Sequence, residues 1–229
     1  MNRNLEERVR ARSIARYRTR AAGYDATCTP TWPFRLRAVE SLCLQAGDVA
    51  LDVGCGTGLS FALLRERVGD AGAVWGVEQS PEMAAIARER IAAEGWSNVQ
   101  VFEAAAHEAR LPGLADAALF NYTHDICGSQ AAVRNMLGQV RAGGRVGVAG
   151  VKFLPWWAGP VNLFVYLKNR PYNGSPGGLR RPWANIATWV EDLHVESTQF
   201  GMGYVAAGCL TRPPAAVSPV TPASARPSS

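Results

Sequence analysis

Val49-Ala50-Leu51-Asp52-Val53-Gly54-Cys55-Gly56-Thr57-Gly58 is a short apolar run that empties into a glycine-rich turn, and the stretch after it, Leu59 to Val68, carries Phe61, Leu64 and Val68 at helical spacing. The order is strand, loop, helix. Glycines in such a turn accept positive φ and let the backbone approach a ligand with no Cβ in the way. In an open parallel sheet, ligands bind beyond the carboxyl ends of the strands, where this turn lies. Glu78 ends the next apolar run, about twenty residues on, where a carboxylate can accept both hydroxyls of a ribose.

Working outward, Ala73 to Glu78 reads as a second strand, and Ser80-Pro81-Glu82 opens a helix with an N-cap serine, a proline at the first helical position and an acid in the first turn. Met83, Ile86, Arg90 and Ile91 extend that helix to Gly95. Val99 to Glu103 is a third strand, Ala115 to Tyr122 a fourth, Ala131 to Val140 a helix, and Arg145 to Phe153 a fifth strand after the Gly143-Gly144 turn. Val195 to Leu210 supplies two more strands, and upstream a helix runs from Phe34 to Cys43. Strands alternating with helices at this rhythm predict an α/β protein with a doubly wound, mostly parallel seven-stranded sheet in a single domain over 34–210. A basic helical arm or lid precedes it at 1–33, a substrate-lid insertion interrupts it at about 154–190, and a tail rich in Pro, Ala, Ser and Thr at 211–229 is expected to be disordered.

Composition agrees with a globular domain: 48% of the 229 residues are hydrophobic and 19% charged. The formal charge of +5 is concentrated at the start, where residues 1–25 hold seven arginines against Glu6, Glu7 and Asp25, a net +4. Such an arm attracts anionic partners or is a solvated helix face, and it designates no specific partner. The five cysteines are scattered without a Cys-x-x-Cys pair, so neither a disulfide framework nor a metal site is expected. The charged N-terminus is not a signal peptide, and a cytoplasmic location is expected.

Asp52-Val53-Gly54-Cys55-Gly56-Thr57-Gly58 with Glu78 resembles the class I S-adenosylmethionine-dependent methyltransferases, whose Gly-x-Gly-x-Gly spacing is tighter than the Gly-x-Gly-x-x-Gly of dinucleotide binders. The resemblance covers about residues 17–153, from Tyr17 and Gly23-Tyr24-Asp25 to the Ala142-Gly143-Gly144-Arg145 turn. It implies a Rossmann-like fold and S-adenosyl-L-methionine as cofactor. By that likeness Asp52 orients the methionine amino group, Gly54, Cys55 and Gly56 admit the cofactor, Glu78 binds the ribose, Gln79 and Met83 border the adenine, and Tyr17, in a lid, also contacts the cofactor. Where the family often has a Gly-Asp-Ala triplet, this chain has Ala104-Ala105-Ala106, so the adenine contact falls to the backbone at Ala105 and Ala106 or to a neighbour such as His107 or Glu108.

On the acceptor side the resemblance places Asn121-Tyr122-Thr123-His124-Asp125 opposite the transferred methyl, with Asn121 at the cofactor and Tyr122 and His124 as the catalytic candidates. His124 is either a general base, with an ordinary pKa near 6.5, or a hydrogen-bonding wall residue. The stretch is not the Asn-Pro-Pro-Tyr type of exocyclic base methylases, so a small, partly apolar or aromatic acceptor is expected and nucleic acid is not; the alternatives are a membrane-associated lipid or quinone methyltransferase and a cofactor-binding protein without catalysis. The run from Phe153 to Leu167, with Trp156 and Trp157, is too short and too proline-interrupted to span a bilayer. It packs on the sheet, roofs an apolar acceptor pocket, or makes peripheral membrane contact through its tryptophans. Arg170, Tyr172, Arg180, Arg181 and Trp183 belong to a loop suited to closing over a carboxylate or phosphate.

Overall fold

β1 (Val49–Val53) and β4 (Ala115–Asn121) pair in parallel at the centre of a seven-stranded sheet in the computed structural model, which describes residues 29–154, 158–160, 162–163, 167 and 179–215. The other strands are β2 (Ala73–Glu78), β3 (Val99–Glu103), β5 (Val140–Val151), β6 (Glu191–Thr198) and β7 (Gly203–Leu210), in the order β3-β2-β1-β4-β5-β7-β6. β1 to β5 run parallel, while β7 is antiparallel to both β5 and β6. The chain winds outward from β1 to β3 and then returns to β4, so the order reverses between β1 and β4. That reversal opens a crevice at their carboxyl ends, and the glycine turn leads out of β1 into it.

Helices cover both faces, as strands buried on both sides require. α1 (Trp32–Glu40), α2 (Phe61–Val68) and α3 (Pro81–Glu94) lie over Ala50, Val74, Ala117 and Leu119 on one side. On the other, α5 (Gln130–Leu137) packs Val133, Met136 and Leu137 against Leu51, Ala118, Phe120, Val146 and Val148. α3 begins as its sequence implies, with the Ser80 hydroxyl accepting from the Met83 N–H and Gly95 closing the far end in the left-handed region.

Several elements depart from the reading of the sequence: α5 ends at Leu137, three residues before the expected Val140, because Val140 already pairs in β5, and β6 begins at Glu191, ahead of the expected Val195. β5 starts at Val140, and Gly143-Gly144 lie within it: the ladder jumps from Ala115 opposite Val140 to Ala117 opposite Arg145, so these glycines make a bulge. A Cβ on Gly144 would stand 2.7 Å from the Asp116 carbonyl oxygen, which explains the residue. α1 runs Trp32–Glu40 in place of Phe34 to Cys43, because Pro33 fits the first turn and Cys43 adopts φ +50. A one-turn helix α4 (His124–Cys127) follows β4, in a stretch to which the sequence reading assigns no element. The arm up to residue 28 and the tail from 216 lie outside the described residues. No helix among the described residues is long and apolar enough to cross a membrane.

Candidate active site at the switch point

The glycine turn is pinned to β2 by the Gly54 and Cys55 N–H groups, which both donate to the Val77 carbonyl, at 2.8 and 3.1 Å. Gly54 and Gly56 both have positive φ, +70 and +58, yet they are glycines for different reasons. A Cβ on Gly54 would lie 2.6 Å from Thr123 Cγ2 and 2.8 Å from Ile126 Cδ1, so the missing side chain lets α4 and its cap close on the turn. At Gly56 a Cβ would meet only Met83 Cε, at 3.6 Å. Gly56 therefore offers open backbone, and buried Met83 forms the wall beside it.

Glu78, at the end of β2, is buried and doubly tethered: Oε2 accepts from the Gly56 N–H at 2.9 Å and Oε1 from the Ser80 N–H at 2.8 Å. Each oxygen retains a second lone pair for a diol. Burial raises the carboxyl to about 7, against the pull of the Ser80 and Gly56 N–H groups. Asp52 is raised to about 7 by burial as well, opposed by Arg35 and reinforced by Glu78, and its Oδ2 has no hydrogen-bond partner.

Arg35 escaped the sequence reading. It is 6% exposed, donates from Nη1 to Ser60 Oγ at 2.8 Å, and its Nε is unpartnered. The signal was present, because Arg35 shares the face of α1 with buried Ala38 and Val39, so the chain places a cation where the spacing calls for an apolar residue. A buried guanidinium beside a buried carboxylate is costly unless the pair is well satisfied.

At the end of β4, Asn121 is 7% exposed and neither side-chain polar atom has a partner. Native proteins leave few buried polar atoms unpaired, so the cluster of Asp52, Asn121 and Arg35 marks room for a polar ligand. Tyr122 follows at φ +60, a conformation that costs energy for a residue with a Cβ and that gathers at functional sites. Its hydroxyl accepts from Gln199 Nε2 at 3.4 Å.

His124 is locked. The Val151 N–H donates to its Nε2 at 2.9 Å, a backbone hydrogen bond joins it to Tyr122, and a Cβ on Gly150 would come within 2.7 Å of Nε2. Burial lowers its pKa to about 4, so it is neutral at physiological pH, and its Nε2 is held against the Val151 N–H and carbonyl oxygen, at 2.9 and 3.1 Å. Tyr122 and His124 stand edge to face, ring centroids 6.3 Å apart.

At the expected adenine edge, Ala104 N–H donates to the Glu78 carbonyl at 3.0 Å. The Ala105 carbonyl accepts from the Glu108 and Ala109 N–H groups, and the Ala106 carbonyl accepts from Asn135 Nδ2 at 2.9 Å. Both alanines are buried, Gln79 is half-buried, and His107 and Glu108 are exposed. Cys55 is buried, and its burial drives the thiol pKa far up, which keeps it neutral. Tyr17, Tyr24, Trp156, Trp157, Arg170 and Tyr172 lie outside the described residues.

Residues 50–144 match a family model described as a methyltransferase domain. A protein-L-isoaspartate O-methyltransferase of Ignicoccus hospitalis is 46% identical over 63 residues, covering 28% of this chain and 30% of that one. A demethylmenaquinone methyltransferase of Shouchella clausii is 40% identical over 68 residues, 30% of this chain and 29% of its own. The chain thus spans under a third of these relatives. An O-methyltransferase family protein of Burkholderia thailandensis superposes with a TM-score of 0.64 at 18% identity, over 84% of this chain and 62% of that one, a likeness of fold. The glycine turn and the tethered Glu78 both lie within residues 50–144, the part of the chain that matches the methyltransferase-domain model.

Proposed function

We propose that the protein transfers the methyl group of S-adenosylmethionine to a small, partly apolar or aromatic acceptor. The observation that carries this reading is Glu78, fixed by the Gly56 and Ser80 N–H groups, beside the unpartnered polar atoms of Asp52 and Asn121. Those groups fit this cofactor: Glu78 has lone pairs for the ribose hydroxyls, Asp52 suits the methionine ammonium, Arg35 suits its carboxylate, and Gly56 with Met83 admits the adenosine. The Ala105 carbonyl already accepts two hydrogen bonds within the fold, while the Ala106 carbonyl accepts one and retains a lone pair for the adenine.

When bound, the cofactor supplies a sulfonium methyl already activated for displacement. The protein's share is therefore placement and exclusion of water. Asn121 and the strained Tyr122 form the floor at the end of β4. His124, tied to Val151 and kept neutral, acts as a wall that sets the Tyr122 backbone and does not take a proton. The named relatives act on a protein residue and on a quinone, so the shared segment binds the cofactor and the acceptor is chosen elsewhere. A small molecule is favoured over nucleic acid because Asn121-Tyr122-Thr123-His124-Asp125 lacks the two prolines of base methylases.

Calorimetric titration with S-adenosylmethionine, and separately with NAD, tests the reading. Micromolar affinity for the first alone is expected, whereas binding of NAD, or of neither, would overturn it.

A further inference from the structure

The turn between β6 and β7 lies on the same edge of the sheet as the glycine turn, because Gly203 at the start of β7 is paired with Val151 at the end of β5. Its tip is unusual. Gln199 and Phe200 both adopt positive φ, +50 and +55, and the Phe200 side chain is 100% exposed. A scattered exposed apolar residue needs no explanation, but a phenylalanine held outward on strained backbone does. The tip is firmly seated, with the Lys152 N–H donating to the Met202 carbonyl at 2.7 Å and a Cβ on Gly201 coming within 2.7 Å of Leu154 Cδ2.

Leu154 ties this tip to a second exposed apolar group. Its N–H donates to Asn162 Oδ1 at 2.8 Å and its carbonyl accepts from Asn162 Nδ2 at 3.0 Å, which brings in Leu163, 58% exposed. Leu167, 55% exposed, follows four residues on. The neighbouring Phe153 N–H donates to the Leu179 carbonyl at 2.8 Å, setting the exposed Arg180 and Arg181 beside the same strand end.

Charge selects what this edge faces. From Lys152 to Val190 there is no Asp or Glu, against Lys152, Lys168, Arg170, Arg180 and Arg181. Residues 26–125, by contrast, hold thirteen acids against seven arginines. The basic character is thus not confined to the arm, as the opening residues alone suggest.

We propose that this edge docks on an anionic lipid bilayer, with Phe200, Leu163 and Leu167 entering the boundary between headgroups and acyl chains and Lys152, Arg180 and Arg181 facing the anionic headgroups. Exposed leucines and an outward phenylalanine on an edge that also carries cations suit an interface that is apolar beneath and negative above. RNA would engage the cations but give the leucines nothing to bury in. Docking there sets the carboxyl ends of β4 and β5 toward the bilayer, so an apolar acceptor reaches the site from the membrane. This last step rests on the methyl-transfer reading, while the docking itself does not.

The test is flotation of the full chain, without cofactor, on phosphatidylcholine vesicles with and without phosphatidylglycerol. Flotation only with the anionic vesicles is expected, about tenfold weaker in Phe200→Ser and similarly weakened in Arg180→Glu/Arg181→Glu. Unchanged calorimetric binding of S-adenosylmethionine by Phe200→Ser shows that the variant is folded and keeps the two readings separate. Absence of flotation, flotation that Phe200→Ser leaves intact, or capture of a single-stranded RNA in place of the vesicles overturns the proposal.

Discussion

Glu78 and Gly56 are joined by a 2.9 Å hydrogen bond from the glycine N–H to Oε2, so the carboxylate proposed to meet a ribose also shapes the glycine turn. Because Oε1 holds the Ser80 N–H at the head of α3, one carboxylate orders β2, the turn and the helix start together. Glu78→Ala is expected to weaken S-adenosylmethionine binding about a hundredfold, from the loss of two hydrogen bonds to a charged acceptor at ~1.5 kcal/mol each. Calorimetry checks this, and an affinity within threefold of wild type removes Glu78 from the ribose site.

Glu78 and Asp52 are both raised to about 7 by burial. Their folded pKa values lie above the unfolded ones, so between about 4 and 7 the native state holds protons that the unfolded state has released, and stability falls as pH rises through that window. Melting of the cofactor-free protein is expected to show this loss, and Asp52→Asn to reduce it. Cofactor binding needs Glu78 ionised, so affinity is expected to rise from pH 6 to pH 8 with proton release. Calorimetry at pH 7 in two buffers of different ionisation enthalpy measures that release, and equal heats in both refute it.

His124 carries the opposite sign. Its pKa is lowered to about 4, so it contributes stability that is present above pH 6.5 and lost as pH falls through 4. His124→Ala orphans the Val151 N–H and is expected to cost about 1–3 kcal/mol in denaturant melts. Turnover on an accepted substrate is expected to fall less than tenfold, where loss of a general base costs about 10²–10⁴. A loss in that larger range restores His124 as the base.

Gly54 and Gly56 separate fold from binding. Gly54→Ala meets both an unfavourable φ and Thr123 and Ile126, whereas Gly56→Ala meets an unfavourable φ alone, at about 1 kcal/mol. Thermal melts are expected to rank Gly54→Ala as the less stable. Gly56→Arg is expected to fold and bind no S-adenosylmethionine; binding near wild type would show that the cofactor does not pass over Gly56.

The regular core was legible because local chemistry and burial agree there. Ala73 to Glu78 and Val99 to Glu103 are strands over the residues their apolar runs mark, and Ser80-Pro81 starts α3 where capping rules put it. Gly143-Gly144 misled because glycine permits a turn and a bulge alike, and only pairing with β4 selects the bulge. Arg35 was hidden because its partners, Ser60 and Asp52, are distant in sequence, and a charge on an apolar face does not name them.

By itself the sequence determined the alternation of strands and helices, the glycine turn after β1 and the acid after β2, since periodicity, capping and φ preference act over a few neighbouring residues. Only the tertiary structure decided that Glu78 grips Gly56, that Arg35 sits with Asp52, that His124 is held by Val151, and that Phe200 stands exposed on the sheet edge that carries the glycine turn. Those are contacts between distant segments, and packing and desolvation, which set them, exist only once the sheet has brought the strand ends together.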